Sequence, residues 1–161
     1  MKINKYFLLQ NKKIKTWLKY WLFLKSKAKK VVNLFVLPEA TTSAGIEYTI
    51  NEDKTINLKG TSTTTTSFII FKDLSETGIE NEKTYTLSAS QPLTNGLEIR
   101  VECFNGTSWQ RHLIGSVLNS SHQVFTGTAN TTNTTRIRFM IYVNNGVTLN
   151  IENLLIKLEE A

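Results

Sequence analysis

The side chains of this chain that could act as acid, base or nucleophile are few: His112, His122, the single cysteine Cys103, and carboxylates scattered mainly through turn-like stretches. They form no visible triad of nucleophile, base and orienting group. Glu98 and Glu102 share the outward side of one predicted strand, whereas glycoside hydrolysis needs an acid and a partner carboxylate at a defined separation across a sugar. No glycine-rich phosphate loop, H-E-x-x-H or C-x-x-C occurs, so nucleotide, zinc and redox chemistry have no anchor. Cys103 alternates with Val101 and Ile99 and reads as a small core residue. A lone cysteine cannot form an internal disulfide, so nothing here relies on an oxidising compartment. The expectation is a protein that is not an enzyme and carries neither metal nor cofactor.

Binding of a saccharide is the sharper chemistry. A sugar ring stacks on an aromatic face while guanidinium, amide and carboxylate groups take its hydroxyls. Trp109 follows the Asn105-Gly106 turn with Phe104, Arg111 and His112 nearby, and Tyr142 shares the outward side of another predicted strand with Arg138. A glycan site would therefore comprise Phe104, Trp109, Arg111, Arg138 and Tyr142. The competing reading makes Trp109 and Tyr142 aromatics of the core or of a subunit interface.

These residues need strands to hold them. From Val31 onward the chain is rich in Thr, Ser, Asn, Gly and β-branched residues in short alternating runs, the texture of strands. The predicted strands are Ile46–Ile50, Thr55–Lys59, Ser67–Lys72, Thr84–Ser90, Leu97–Phe104, Ser108–Ile114, Gln123–Thr126, Arg136–Val143 and Val147–Leu158, the last broken near Asn153. They are expected to form two sheets. Asn95-Gly96, Asn105-Gly106 and Asn145-Gly146 supply the positive φ angles of tight turns, and the last two are expected to join neighbouring strands directly. In Arg136–Val143 the residues Ile137, Phe139, Ile141 and Val143 face one way, toward a core. The Asn-x-Thr triplets, such as Asn130-Thr131-Thr132, read as polar loop rather than as glycosylation sites, since no secretory signal accompanies them.

The first thirty residues differ from the rest. They hold ten of the nineteen basic residues and no acid, whereas the remainder carries nine basic residues against thirteen acidic ones, a net of −4. At about 100° per residue, Ile14, Trp17, Leu18, Trp21, Leu22, Leu24 and Ala28 gather in one apolar sector, with Lys12, Lys15, Lys19 and Lys30 opposite. Residues 1–32 are thus expected to form an amphipathic basic helix, too short in its apolar run for a signal peptide or a membrane span. Such a helix suits a membrane surface, an acidic groove on a partner, or nucleic acid. Lysines without arginine favour generic attraction over base readout. Docking onto a partner through Trp17, Leu18, Trp21, Leu22, Lys12, Lys15 and Lys19 leads, ahead of helix bundling, with membrane contact last.

Four segments of residues 33–161 carry a family resemblance. They are Asn33-Leu34-Phe35, the run from Tyr48 through Asn51-Glu52-Asp53-Lys54-Thr55 to Gly60-Thr61, Tyr85-Thr86-Leu87-Ser88, and Ile151-Glu152-Asn153-Leu154-Leu155-Ile156-Lys157-Leu158-Glu159-Glu160. In this order they resemble a domain of tailed-phage tail, baseplate and head-fibre proteins that is similar to carbohydrate-binding modules. The resemblance implies an all-β, antiparallel jelly-roll sandwich over residues 33–161, behind the helix of residues 1–32. It further implies a non-enzymatic virion structural protein, made in the host cytoplasm, present in several copies, attached to capsid, portal or tail proteins through residues 2–30 and displaying a glycan-adhesive sandwich. A free carbohydrate-binding protein with a membrane-surface helix, and an adaptor without ligand, are the alternatives. The chain departs from the family at Lys54, where glycine is expected, and at Ala161, beyond which the family often continues; the chain is expected to end with its sandwich.

Overall fold

A computed structural model describes residues 31–161 of the chain. Residues 1–30 of the helix expected over residues 1–32, with Trp17, Leu18, Trp21, Leu22, Lys12, Lys15 and Lys19, lie outside the described residues; Val31 and Val32 are not helical.

The strands are β1 (Thr41–Ser43), β2 (Ile46–Ile50), β3 (Ile56–Thr61), β4 (Thr66–Asp73), β5 (Thr84–Ala89), β6 (Leu97–Phe104), β7 (Trp109–His112), β8 (Val124–Thr128), β9 (Arg136–Val143), β10 (Thr148–Leu154) and β11 (Ile156–Glu160); one helical turn, α1 (Leu74–Thr77), follows β4. All pairings between them are antiparallel. Hydrogen bonding gives a sheet in the order β1-β2-β3-β10, a second in the order β4-β9-β6-β7, and a three-stranded sheet β11-β5-β8. The two sheets expected from the sequence are therefore three by hydrogen bonding. Strands β10 and β11 are one run of chain interrupted at Leu155, each half pairing in a different sheet.

Period-two alternation builds the interior. Ile46, Tyr48, Ile56, Leu58, Phe68, Tyr85, Leu87, Leu97, Ile99, Val101, Ile137, Phe139, Ile141, Leu149, Ile151, Ile156 and Leu158 point inward from all three sheets and join one hydrophobic cluster. Burying each large side chain favours folding by roughly 1.5–3 kcal/mol before the entropy of ordering it is counted. The Tyr48 hydroxyl donates to the Pro38 carbonyl (3.2 Å), and burial pushes its ionisation above the ordinary phenol range.

Turns confirm some expectations and correct others. Asn105-Gly106 closes the β6–β7 hairpin, as its turn chemistry suggests. Asn145-Gly146 does not close a hairpin, because β9 and β10 belong to different sheets. That turn is instead clamped onto Ser62, whose carbonyl accepts from Gly146 N (2.9 Å) while its own N donates to the Val147 carbonyl (2.9 Å). The short β1–β2 hairpin turns through Ala44 and Gly45, both at positive φ. A Cβ on Gly45 would lie 2.4 Å from the Thr61 carbonyl oxygen, so this crossing requires glycine.

Asn33 fixes the entry of the described chain into the fold. Its Nδ2 donates to the Ile156 carbonyl (2.9 Å), and its Oδ1 accepts from the backbone N of Phe35 (3.0 Å) and of Leu158 (2.9 Å). The start of the described chain is thereby tied along the outer edge of β11, and Phe35 enters the core against Phe139 with ring centroids 5.3 Å apart.

Candidate functional site

The inward residues of β9 commit its alternate residues Arg136, Arg138, Met140 and Tyr142 to the outer face of the β4-β9-β6-β7 sheet. Register then fixes their neighbours. Arg138 is flanked by Phe71 and Glu102, and Glu102 in turn by His112; Met140 lies between Ile69 and Arg100, and Tyr142 between Ser67 and Glu98. Arg136 stands between Asp73 and Phe104, with Trp109 beyond Phe104.

Opposite charges pair on this face, both between neighbouring strands and along β6. Arg138 donates through Nε (2.8 Å) and Nη2 to Oε2 of Glu102, a residue only 7% exposed. Arg100 donates through Nε (2.7 Å) to Oε2 of Glu98, and its Nη1 lies 3.9 Å from Glu102. Arg136 Nε is 3.7 Å from Asp73. Three guanidinium groups thus face three carboxylates, and this part of the face is neutral overall. His112 Nδ1 lies 3.7 Å from Glu102 Oε1, shielded from solvent and with no hydrogen-bond partner among the described residues.

Aromatic rings cover the ion pairs. The guanidinium of Arg138 lies 4.3 Å from the centroid of the Trp109 ring, and that of Arg100 lies 3.9 Å from Tyr142. Such contacts contribute about 0.5–1 kcal/mol when exposed and about 2 when desolvated. Trp109 also stacks on Phe71 (5.3 Å, 22°) and tilts against Phe104 (4.7 Å). Phe71 and Trp109 belong to the two edge strands, three inter-strand steps of about 4.8 Å apart, so both rings lean inward over β9 and β6. The outcome is an apolar roof, with Phe71 42% and Ile69 36% exposed, over paired charges.

Of the five residues expected to bind a glycan, the structure brings Phe104, Trp109 and Arg138 together. Tyr142 lies on the same face but partners Arg100. Arg111 is opposite Cys103, an inward position, and at the sheet edge its Nη2 donates to the Thr132 carbonyl (3.1 Å). Phe71, Ile69, Met140, Arg100, Arg136 and Glu102 are not in the expected set, although Glu102, Arg136 and Met140 already read as outward; counting parity from Phe68 places Ile69 and Phe71, and counting it from Ile99 places Arg100. Cys103 is buried, its Sγ 3.6 Å from the Asn130 carbonyl, and burial pushes the thiol's ionisation up. Glu98 and Glu102 are each engaged by a guanidinium group.

No family model matches this chain, and no curated protein is similar to it. Among solved structures, the chain is similar to one described as accessory secretory protein 1, 2 and 3 in Streptococcus pneumoniae. The identity is 12%, the TM-score 0.53, and the match covers 82% of this chain and 97% of that one. At that identity the likeness shows the fold alone. It nevertheless corrects the virion expectation drawn from the family resemblance. A solved chain of like fold is described as a bacterial accessory secretory protein, so the architecture by itself does not signify a bacteriophage particle. The assignments to a virion structural protein, to capsid, portal or tail partners, to fibre adhesion and to a virion location are withdrawn.

Proposed function

We propose that this chain is a non-enzymatic docking protein, a jelly-roll-type sandwich similar to carbohydrate-binding modules, which uses the outer face of its β4-β9-β6-β7 sheet to hold another protein. One observation carries the reading: Arg100, Arg136 and Arg138 are each paired in the plane of the sheet and roofed by Trp109, Phe71, Phe104 and Tyr142. Aromatics, Met and Arg are the residues enriched at the centres of protein interfaces. Charges that already satisfy each other cost less to cover with a partner than free charges do. Sugar hydroxyls, by contrast, need donors and acceptors with capacity to spare, and Trp109 already carries Arg138 and Phe71 against its ring. The solved structure of like fold contains three accessory secretory proteins, which supports partnership with other proteins as the working state of such a body.

A photocrosslinking amino acid placed at Tyr142 should yield a discrete protein adduct in the native cell. The same probe at Thr49, on the outer face of another sheet, should yield none. Equal labelling at both positions would remove the docking assignment. Binding to immobilised glycans that disappears with Trp109→Ala would replace it with saccharide recognition.

A further inference from the structure

The edges of the sheets are protected unequally. Strand β1 has three residues and β7 four, and β11 is covered along its outer side by the Asn33 side chain and by Leu34, whose N donates to the Leu158 carbonyl (2.7 Å). Short or covered edge strands are the usual defence against unwanted pairing. Of the six strands that end a sheet among the described residues, β4 is the longest: it has eight residues, no backbone hydrogen bond ties its outer side to a neighbouring segment, and it runs Thr-Ser-Phe-Ile-Ile-Phe without a charge or a proline before Lys72.

The pairing pattern tells which backbone groups that edge offers. Leu74 N donates to the Thr135 carbonyl in the same register as β4 and β9, so the even-numbered residues of β4 direct their N–H and C=O groups at β9. The odd-numbered ones, Ser67, Ile69 and Phe71, direct theirs away from β9. On that side lies a cleft of about 690 Å³. One wall is β4 from Ser67 to Phe71, and the other is Pro38–Ser43. A hydroxyl bond between Ser43 and Thr66 (2.7 Å) closes one end, from which the two walls run antiparallel toward Arg136 at the open end. No backbone hydrogen bond crosses the cleft between these walls among the described residues.

We infer that the cleft takes up a single extended segment of a partner protein as an additional strand on β4. The wall of Pro38–Ser43 stands where the sheet of a second copy would have to approach, so it admits one strand and blocks sheet-to-sheet pairing. Five residues, Ser67 to Phe71, span about 13 Å of strand at 3.3 Å per residue, which sets the length of the paired segment. The chemistry of the walls sets its composition. Hydroxyls of Thr41, Thr42, Ser43 and Ser67 surround the closed end, which suits small or hydroxylated residues. Exposed Ile69 and Phe71 call for apolar side chains at alternate positions. Arg136, 44% exposed and no nearer than 3.7 Å to Asp73, has donors left to receive a second carboxylate where the segment leaves; the exposed Glu39 on the opposite wall disfavours an acid further in.

This inference rests on the docking reading of the same sheet and specifies what part of the partner is grasped. The test uses the full-length protein and fluorescein-labelled nine-residue peptides of alternating threonine and isoleucine or phenylalanine, with an aspartate at one end. Binding should slow hydrogen exchange at the amides of Ser67, Ile69 and Phe71 and leave the even-numbered amides of β4 as they were. Ile69→Pro removes a donor that the sheet does not use, a substitution edge strands tolerate. It should leave the urea midpoint near that of the parent and weaken peptide binding at least tenfold, while Ile69→Thr should weaken it less. Undiminished binding by Ile69→Pro, protection at another edge, or no binding by any of these peptides would overturn strand addition. Should Ile69→Pro fail to fold, the exchange pattern of the unaltered protein decides alone. Crosslinking at Tyr142 that survives Ile69→Pro would preserve the docking assignment while removing this one.

Discussion

Two outward faces of the same body have been built to opposite specifications. On the β1-β2-β3-β10 sheet the outward positions are Glu47, Thr49, Asn57, Lys59, Thr148, Asn150 and Glu152. Its contacts are those of a face in water: Lys59 meets Glu152 at 2.5 Å with both side chains about half exposed, and Asn51 and Asn57 exchange amide hydrogen bonds. On the β4-β9-β6-β7 sheet the corresponding positions hold Phe71, Met140, Tyr142, Phe104, Trp109 and arginines whose charges are already answered. Both faces follow from the same two-residue alternation, so the fold does not require the second composition. What differs is the environment each is prepared for, and an apolar roof over paired charges is preparation for the loss of water.

The contrast predicts unequal consequences for equivalent cuts. Arg138→Ala leaves Glu102 buried beneath Trp109 without its partner, and should lower the urea-unfolding free energy by about 3 kcal/mol. Replacing the pair together, Arg138→Met with Glu102→Leu, should recover most of that loss. Lys59→Ala breaks an ion pair of similar length on the polar face and should produce no resolvable change. If the two single substitutions cost the same, the claim that the faces differ in desolvation is wrong. Trp109→Ala removes the roof but leaves the Arg138–Glu102 pair intact, and should cost about 2 kcal/mol, read by the same titration.

How far these faces could be read in advance depended on local regularity. Strands β6 and β9 have the boundaries the sequence suggested, Leu97–Phe104 and Arg136–Val143, because each alternates cleanly and a turn signal bounds it. Strand β1 was missed: three polar residues present no pattern, and its turn uses Ala44 where an Asn or Asp would have announced a positive φ. Helix α1 was missed because four residues cannot display a helical period. Asn145-Gly146 identified a turn correctly but not what it connects, since pairing partners are set by distant contacts such as Ser62. At the site the same logic holds. Phe71 and Ile69 are hidden in the unbroken apolar run Phe68-Ile69-Ile70-Phe71, and Arg111 is near Trp109 in sequence although register puts it, still exposed, on the side of β7 opposite His112.

The polar sheet also carries a turn residue whose backbone conformation suits glycine better than lysine. Lys54 lies in the β2–β3 turn with φ +68, the left-handed conformation in which a Cβ costs roughly 1 kcal/mol and glycine is at ease. Lys54→Gly should therefore stabilise the protein by up to about 1 kcal/mol, reduced by the greater freedom glycine gives the unfolded chain. A loss of stability would mean that the lysine side chain contributes something its exposed position does not suggest.

A smaller effect concerns the neighbouring Asp53. Hydrogen bonds from the Thr55 hydroxyl (2.6 Å) and the Thr55 backbone N (3.0 Å) hold its carboxyl below the usual carboxylate range. A group whose folded-state pKa is depressed adds stability that is complete above its unfolded value, near 3.9 for aspartate, and is lost as pH falls through the folded value. Asp53→Asn imitates the protonated acid, so the parent should melt slightly above the variant at pH 7 and the gap should close as pH drops below about 4. On the aromatic face the carboxylates are fixed by guanidinium groups that remain charged throughout this range, so Glu102→Gln should cost more at pH 7 than Asp53→Asn does. A gap for Asp53→Asn that widened on acidification would show that the β2–β3 turn is not held by the ionised carboxylate, and that the polar sheet depends on its charges less than its hydrogen bonds imply.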